Sequence, residues 1–545
     1  MMFSYKNKRI LIVDDQKSFH IMLKTMLTNQ GAKNISFADS AESATKLISH
    51  KEFDIYLVDY NLGSGKNGSQ LLDYLRVNKL ISTKALCFII TGDNNRGMVL
   101  TAIEKTPDDY LMKPFSQNQL FNRLSKANEK KKALFDIFEA LTAENYPQAI
   151  KLCNEKIAQG SKFKYLCKIL LADIFIIINQ YDEAVEILKA LVESRPLVRV
   201  SITLGKVYVL QEKYLEAIDI LKEVIINTPL QMEGYRWLAR AYKGNNELNK
   251  SLKILIQAAN MTHHSIDRHQ EVALLATEMS EYKIMLDSYH SILQLSRNSF
   301  DPDPCHLANY IRSILNYANA QEDMNDRQKI LKQVNSTLYQ SRFEEGRNKN
   351  FDFNSFEAIC QAKVFFSQGD TLKAKRRILN TLEKYDQPIE EIDNTLLCES
   401  LFSLIEIGEF EYADPYLQEI QLRNIIDPST KLAIKEQTGN SLEERVNGFK
   451  IHNKLGIQAF TARSLTSALE HFNKALQLEP LNSGALLNRI QVFIHLLKEN
   501  KNTGNKNTYS NCQMSFDLLS NTQLPSQHTI RYAKLKKEFS EIKNN

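Results

Sequence analysis

The sequence Ile10-Leu11-Ile12-Val13-Asp14-Asp15 joins a short apolar run to two adjacent aspartates. Three later segments have the same form, in which a β-type run ends at a polar or reactive residue. These residues are Asp59 after 53–58, Thr91 after 85–90, and Lys113 after 110–112. Because residues just past the carboxyl ends of parallel strands converge on one crevice, we expect three carboxylates, a hydroxyl and an ammonium to share a pocket. That set of groups suits a divalent cation and a phosphoryl group.

Helical patterns separate these β-type runs. Apolar residues recur at helical spacing in segments 18–28, 41–48, 68–77 and 98–104. The alternation predicts an α/β fold, a doubly wound five-stranded parallel sheet with helices on both faces. Ser116 is suited to cap a further helix, and no Gly or Pro follows it until Pro147. We therefore expect that helix to run into the next region as one stiff rod.

Composition limits the class of protein. At 545 residues the chain is long enough for roughly three to four domains. It has no apolar run long enough for a transmembrane helix and no signal-peptide pattern near Met1, so we expect a cytoplasmic protein without membrane contact. A net charge of +5 without a long basic stripe does not favour nucleic-acid binding. The basic cluster Lys126, Lys130, Lys131 and Lys132 is interpreted as a solvated helix face. The seven scattered cysteines are expected to be buried free thiols.

Beyond about residue 133 the helical pattern has an internal period. Gly205, Ala217, Leu221 and Pro229 recur as Gly456, Ala468, Phe472 and Pro480, with shared offsets of 12, 16 and 24 residues, and Tyr208 lies at offset 3 in the first copy. Ala184 precedes Ala217 by 33 residues and Ser251 follows it by 34. Small residues let the two helices of a unit approach, and large ones fill the space between units that must stack to bury their apolar faces. The alternative is a helical bundle without a regular repeat.

This second pattern resembles the tetratricopeptide repeat (TPR), most specifically over 197–229 and 453–486. We therefore divide the chain into an α/β segment at 1–125 and TPR-like helical repeats at 126–426. A hinge or long loop follows at 427–449, and a C-terminal TPR-like repeat with further helices at 450–545. Within the last segment, the polar stretch 498–513 is predicted to be a surface loop before a short helix near 529–542.

Residues 8 to about 125 resemble the receiver domain of bacterial response regulators. The resemblance is carried by Asp14, Asp15, Asp59, Thr91 and Lys113. It implies that Asp59 accepts a phosphoryl group from a histidine kinase or a histidine phosphotransfer protein. It also implies a Mg²⁺ ion held by Asp14, Asp15, Asp59 and the backbone carbonyl of Asn61.

The same resemblance assigns roles to the other strand-end residues. Lys113 would pair with the phosphoryl group, and the Lys113-Pro114 peptide bond would be cis, as it commonly is in the family. Thr91 would bind a phosphoryl oxygen, and its inward shift would open a space for Tyr110, which is the family's switch. One departure is Gly63, where the family usually has proline. It opens the glycine-rich loop Gly63–Gly68, which we expect to be flexible.

The predicted function is that of a phosphorylation-controlled adaptor, because the helical region carries no recognisable catalytic motif or DNA-binding output. The TPR-like array would bind a partner protein, one candidate being a sensor kinase whose phosphotransfer it modulates. We expect no enzymatic activity beyond the receiver's own phosphorylation and dephosphorylation. The alternative is a phosphate sink, in which the receiver accepts and hydrolyses phosphoryl groups and the helical region only localises the protein. A nucleic-acid-binding regulator is disfavoured by charge.

Overall fold

A computed structural model gives the fold of the chain in two compact units, residues 1–279 with 291–302, and 280–290 with 303–545. The structure describes residues 4–62, 67–78, 80–82, 84–92, 108–263, 265–297, 303–345, 351–384, 388–425, 427–437, 439–499, 506–520 and 524–544. The predicted domain boundary at 125 stays a prediction. The predicted helix over 98–104 lies outside the described residues.

The N-terminal part of the first unit contains the predicted five-stranded parallel sheet. Its strands are β1 Arg9–Val13, β2 Asn34–Ala38, β3 Ile55–Asp59, β4 Leu86–Thr91 and β5 Asp109–Met112. They are ordered β2-β1-β3-β4-β5, and every pair is parallel. The order reverses between β1 and β3, which is where α/β sheets of this order open a ligand crevice. The sequence prediction of this sheet is confirmed.

Helices cover both faces of the sheet, as the apolar runs of its central strands require. The helices are α1 Lys17–Asn29, α2 Ala41–Ile48, α3 Gly68–Val77 and α4 Gln117–Ala133. Leu11, Val13, Tyr56 and Val58 face the core formed with α2 and α3. Ile10, Ile12, Leu57 and Phe88 face the core formed with α1 and α4. Ser116 caps α4 by accepting the backbone N–H of Gln119, as predicted.

The stiff rod expected after Ser116 is wrong, because α4 ends at Ala133 and a separate helix, α5, spans Phe135–Thr142. Leu134 between them leaves helical geometry, with φ −107° and ψ 5°. The reason is tertiary packing. Leu134 and Ile137 are fully buried in a cluster with Cys153 and Cys167 from the next two helices. The chain turns at Leu134 and places these side chains in that core.

Helices make up the rest of the first unit, and consecutive helices pack together. They are α6 Tyr146–Ala158, α7 Lys164–Ile177, α8 Tyr181–Ser194, α9 Val198–Leu210, α10 Tyr214–Asn227, α11 Met232–Gly244, α12 Leu248–Met261 and α13 Ile266–Glu278. Within successive pairs, the turn contains a residue with left-handed backbone, Asn179, Glu212 and Asn246, with φ near 60°. These residues are 33 and 34 apart, so the repeat seen in the sequence is also a repeat of backbone geometry.

Close helix contacts occur at the predicted small residues. A Cβ atom at Gly205 would lie 2.6 Å from Cγ of Leu221, and one at Gly456 would lie 2.6 Å from Cε1 of Phe472. The repeated alanines Ala149, Ala184, Ala217, Ala374 and Ala468 are fully buried. The region after the receiver-like sheet is therefore a TPR-like helical-repeat array, as the sequence predicts.

The remaining helices, from Tyr282 onward, include two segments that were expected to be loops. Their bounds are α14 Tyr282–Ser296, α15 Cys305–Asn319, α16 Met324–Glu345, α17 Phe353–Ser367, α18 Thr371–Glu383, α19 Asn394–Glu406, α20 Phe410–Leu422, α21 Pro428–Gln437, α22 Asn440–Thr461, α23 Leu465–Leu478, α24 Ser483–Glu499, α25 Lys506–Ser520 and α26 Ser526–Asn544, with a 3₁₀ turn at Ile389–Glu391.

The hinge or long loop predicted at 427–449 is wrong, since α21 and the first half of α22 occupy it. Phe449 of α22 is buried edge-on against Phe410, with ring centroids 5.4 Å apart. The loop predicted at 498–513 is wrong over 498–499, where α24 ends, and over 506–513, where α25 begins. Cys512, Phe516 and Leu519 form its narrow buried face at helical spacing. Residues 500–505 lie outside the described residues. The predicted final helix is present and longer than expected.

The structure bears on two further expectations, the burial of the cysteines and the absence of membrane-spanning helices. All seven cysteines are free and buried, as expected. Among the described residues, no helix has the length and apolarity needed to cross a bilayer.

Candidate functional site

The two adjacent aspartates follow β1 directly, and the structure treats them differently. Asp14 is 1% exposed, whereas Asp15 is exposed. One carboxylate oxygen of Asp14, Oδ1, accepts the backbone N–H of Gln16 at 2.8 Å, which fixes the turn into α1. Its other oxygen, Oδ2, therefore points toward the crevice.

Asp59 is the last residue of β3 and is 5% exposed. The ammonium group of Lys113 donates to Oδ2 of Asp59 at 2.9 Å and to Oδ2 of Asp14 at 2.8 Å. The same Nζ atom lies 3.8 Å from the ring centroid of Phe19. The Lys113-Pro114 peptide bond is cis, as the resemblance implied. Lys113 thus joins the carboxylates that end β1 and β3.

The second oxygen of Asp59, Oδ1, is buried and accepts no hydrogen bond from any residue that the structure describes. Burial raises the pKa of Asp59 to about 6, while the hydrogen bond and charge of Lys113 act in the opposite direction. Removing a carboxylate from water disfavours its charged form. The side chain is therefore mostly ionised near neutral pH, at a free-energy cost that a further cation would lower.

The donor atoms of this site fit a magnesium ion. One carboxylate oxygen from each of Asp14, Asp15 and Asp59 lies within 4.8 Å of the others. Mg²⁺ prefers hard oxygen ligands and takes one or two carboxylates together with water. The unpaired Oδ1 of Asp59 is the oxygen that such an ion would satisfy. Asn61, two residues beyond Asp59, is exposed, and its role as a backbone ligand stays a prediction.

Thr91 and Tyr110 lie on neighbouring strands. Thr91 ends β4 and is 3% exposed, and its carbonyl accepts the backbone N–H of Lys113 at 2.7 Å. Tyr110 pairs with Ile89 in the register of β4 and β5. Ile89 and Thr91 face the same side of the sheet, so Tyr110 and Thr91 are diagonal neighbours on that side. The predicted switch pair is brought together, and its movement stays a prediction.

Sequence reasoning missed the role of Gly68, the first residue of α3. A Cβ atom there would lie 2.0 Å from the carbonyl oxygen of Asp59 and 2.7 Å from Cγ1 of Val58. Its backbone N–H donates to the carbonyl of Tyr60 at 2.9 Å. The glycine therefore lets α3 pack directly behind the end of β3. The glycine-rich composition of 63–68 was the available signal, and it was interpreted only as flexibility. Gly63 lies outside the described residues.

Sequence reasoning also misjudged Lys131, which was placed on a solvated helix face. Its side chain is 21% exposed and its ammonium pairs with Asp108 at 3.0 Å. It also donates to the carbonyl of Ala85, just before β4. Near the other end of α4, Arg123 donates to Asp109 and to the carbonyl of Tyr110, both at 2.7 Å. Two cations thus hold α4 to the strand next to the candidate switch.

Comparisons with known proteins agree with this geometry. The model of the family described as response regulator receiver domain matches residues 10–125. A probable chemotaxis protein CheY from Rhizobium etli is 31% identical over 109 residues, which are 20% of this chain and 82% of that protein. This chain belongs to the response-regulator family.

Two further known proteins are similar to parts of this response regulator. The chemotaxis protein CheY-3 of Vibrio cholerae is 29% identical over 125 residues, 23% of this chain and 95% of that protein. A solved structure of MamA from Desulfovibrio magneticus RS-1 covers 31% of this chain and 97% of its own, at 19% identity and a TM-score of 0.28.

Proposed function

We propose that a histidine kinase or histidine phosphotransfer protein phosphorylates this response regulator on Asp59. The TPR-like array then binds a partner protein with an affinity that depends on that phosphoryl group. Phosphorylation at Asp59 is supported by the setting of this residue. Its buried carboxylate accepts a hydrogen bond from Lys113, and its other oxygen is unpaired among the described residues.

The proposed reaction uses the residues of the site as follows. An oxygen of Asp59 forms a bond to phosphorus while the bond from phosphorus to the donor imidazole breaks, and the electron pair returns to the imidazole nitrogen. Asp59 must be ionised to act as the nucleophile, and a pKa of about 6 permits this at neutral pH. Lys113 and Thr91 would bind phosphoryl oxygens. When bound, Mg²⁺ would neutralise the charge that develops on the phosphoryl group.

The route from Asp59 to the array is proposed to run through α4. Thr91 and Tyr110 would shift together, and the carbonyl and ring of Tyr110 contact Arg123 of α4. The far end of α4 is held by Asp108 through Lys131. A movement of β5 therefore reaches α4 through two charged contacts.

The other end of this route enters the first helices of the array. Leu134, directly after α4, is fully buried with Ile137 and with residues of α6 and α7. The ammonium of Lys84, just before β4, lies 4.7 Å from the ring centroid of Phe135. Lys162, before α7, pairs with Glu129 of α4. Coupling between distant sites typically amounts to about 1–3 kcal/mol, so we expect a graded change of affinity.

The partner class is inferred from the architecture of the array. Stacked helical repeats present extended surfaces suited to proteins, and a sensor kinase of the same signalling system is one candidate. We infer a cytoplasmic protein that does not act on nucleic acid or membranes. A phosphate sink remains the competing outcome of the test below.

The test is a pull-down from the source cells with the full chain as bait. Three baits are compared in the presence of Mg²⁺: wild type, wild type loaded with beryllofluoride as a phosphoryl mimic, and Asp59→Ala. We expect a partner whose recovery differs between the loaded and unloaded wild type and is the same for Asp59→Ala as for the unloaded wild type. The same recovery from all three baits would contradict phosphorylation-dependent binding and favour the sink.

A further inference from the structure

The aromatic ring of Phe19 covers the ammonium group of Lys113. Phe19 lies in the first turn of α1, which follows the aspartates that come after β1. Nζ of Lys113 lies over the face of this ring, 3.8 Å from its centroid, the shortest distance between a cation and a ring among the described residues. The face of an aromatic ring carries partial negative charge and attracts a cation placed over it. The two groups are therefore in direct, favourable contact.

This contact completes the surroundings of the ammonium group. An ammonium has three N–H donors. Two of those of Lys113 reach Oδ2 of Asp14 at 2.8 Å and Oδ2 of Asp59 at 2.9 Å. The ring face is available to the third, because N–H groups also point at aromatic faces. The side chain of Lys113 is only 16% exposed. Two carboxylates and one ring thus fix the position of Nζ.

The ring of Phe19 is itself held in place. Phe115 packs against it with ring centroids 5.8 Å apart and ring planes at 82°. This edge-to-face arrangement is a favoured one for two aromatic rings. Both rings are partly buried against the core formed with α1 and α4. A ring fixed in this way can restrain the flexible side chain of Lys113.

We propose that Phe19 is a positioning residue for phosphoryl transfer to Asp59, holding the ammonium of Lys113 where it can bind an oxygen of the incoming phosphoryl group. This role rests on the proposed function, in which Lys113 binds that group. A charge that is already in place when the reaction begins needs no reorganisation and stabilises the transition state more effectively. Without the ring face, the ammonium of Lys113 would turn toward water for part of the time, and phosphorylation would be slower.

A purely structural role for Phe19 makes a different prediction. Packing against the core requires an apolar side chain of suitable size, which leucine also supplies, whereas attraction of a cation requires the negative ring face. Tyrosine keeps that face. Pentafluorophenylalanine keeps the shape of the ring but withdraws the negative charge from its face. Substitutions at position 19 therefore separate packing from the contact with Lys113.

The first measurement is the rate at which acetyl phosphate phosphorylates the full chain in the presence of Mg²⁺. We expect Phe19→Leu and pentafluorophenylalanine at position 19 to slow it by about fivefold or more, and Phe19→Tyr to stay close to wild type. Phe121→Leu is the matched control, because Phe121 is partly buried against the same core and its ring packs on Tyr5. Its rate should also stay close to wild type. Equal rates for Phe19→Leu and Phe121→Leu would overturn the proposal.

The second measurement needs no phosphoryl donor. The full chain is treated briefly with an acetylating reagent, and acetylation of Lys113 is followed by mass spectrometry, with the exposed Lys132 as internal reference. Loss of the ring contact should speed acetylation of Lys113 by about threefold or more in Phe19→Leu and the fluorinated protein, but not in Phe121→Leu. Unchanged acetylation would overturn the proposal. A wild type that acetyl phosphate leaves unmodified would contradict the proposed function instead, and the acetylation rates would still decide whether Phe19 holds Lys113.

Discussion

Asp59→Asn is expected to remove the free-energy cost of ionising a buried carboxyl group in the receiver, a cost that depends on pH. The pKa of Asp59 is raised from 3.8 to about 6 in the folded protein, chiefly by burial. At 1.36 kcal/mol per pKa unit, ionising it in the folded state costs about 3 kcal/mol. An asparagine of the same shape carries no such cost. Lys113 retains Asp14 as a charged partner at 2.8 Å in the variant.

The direction in which the stability changes with pH follows from proton binding. Between about pH 4 and pH 6 the folded wild type holds a proton on Asp59 that the unfolded chain has lost, so rising pH lowers its stability. Relative to wild type, Asp59→Asn should therefore gain about 1.4 kcal/mol between pH 5 and pH 8. The gain is complete once the pH is well above the folded-state pKa. Adding Mg²⁺ should stabilise wild type more than the variant.

The assay is native-state hydrogen exchange of the amides of β1 and β3 in the full chain, which reports local opening of the sheet without requiring two-state unfolding of the whole molecule. Asp54→Asn serves as the control of opposite sign. Burial alone would raise the pKa of Asp54, but hydrogen bonds from the Arg9 N–H and Lys8 outweigh it and lower the pKa. Because the lowered pKa stabilises the folded chain fully once the pH is above about 5, that variant should be less stable than wild type by an amount that stays constant between pH 5 and pH 8. A pH-independent difference between wild type and Asp59→Asn would refute the reasoning.

Two further substitutions test packing at the site and at its connection to the array. Gly68→Ala should slow phosphorylation of Asp59 by acetyl phosphate by about a hundredfold, because its Cβ would lie 2.0 Å from the Asp59 carbonyl oxygen. Phosphate-affinity electrophoresis measures this rate, and Gly92→Ala, with its nearest contact at 3.6 Å, is the control whose rate should stay near wild type; equal rates for both variants would contradict the packing argument. Lys131→Met should lower the local stability of α4 by about 1–2 kcal/mol, since it leaves Asp108 without its ammonium partner. Faster hydrogen exchange of the α4 amides would show this loss. The control variant, Lys132→Met at an exposed residue, should behave as wild type. Equal effects of the two variants would argue that the pair of Lys131 with Asp108 does not hold α4.

The receiver site could be predicted because its chemistry stands at strand ends. The alternation of β-type and helical runs specifies a parallel sheet, and the sheet brings Asp14, Asp59, Thr91 and Lys113 to one edge. No local pattern marks which carboxylate oxygen is left unpaired. That depends on Lys113 reaching across from the last strand, a contact between residues 54 positions apart.

The array was predicted where small residues recur and missed where helices are mostly polar. Gly205 and Gly456 mark close helix contacts that a reader can recognise from spacing alone. By contrast, α25 buries only a narrow face, and its polar residues suggested a loop. The break at Leu134 has no glycine or proline to announce it, because packing against Cys153 and Cys167 causes it.

The central claim is that the state of Asp59 reaches the helical array. The most direct test is hydrogen exchange of the full chain with Mg²⁺, with and without beryllofluoride, in wild type and Asp59→Asn. The account predicts changed exchange in α4, α5 and α6 as well as in β4 and β5, in wild type only. Changes confined to the receiver strands, or changes that persist in Asp59→Asn, would contradict it.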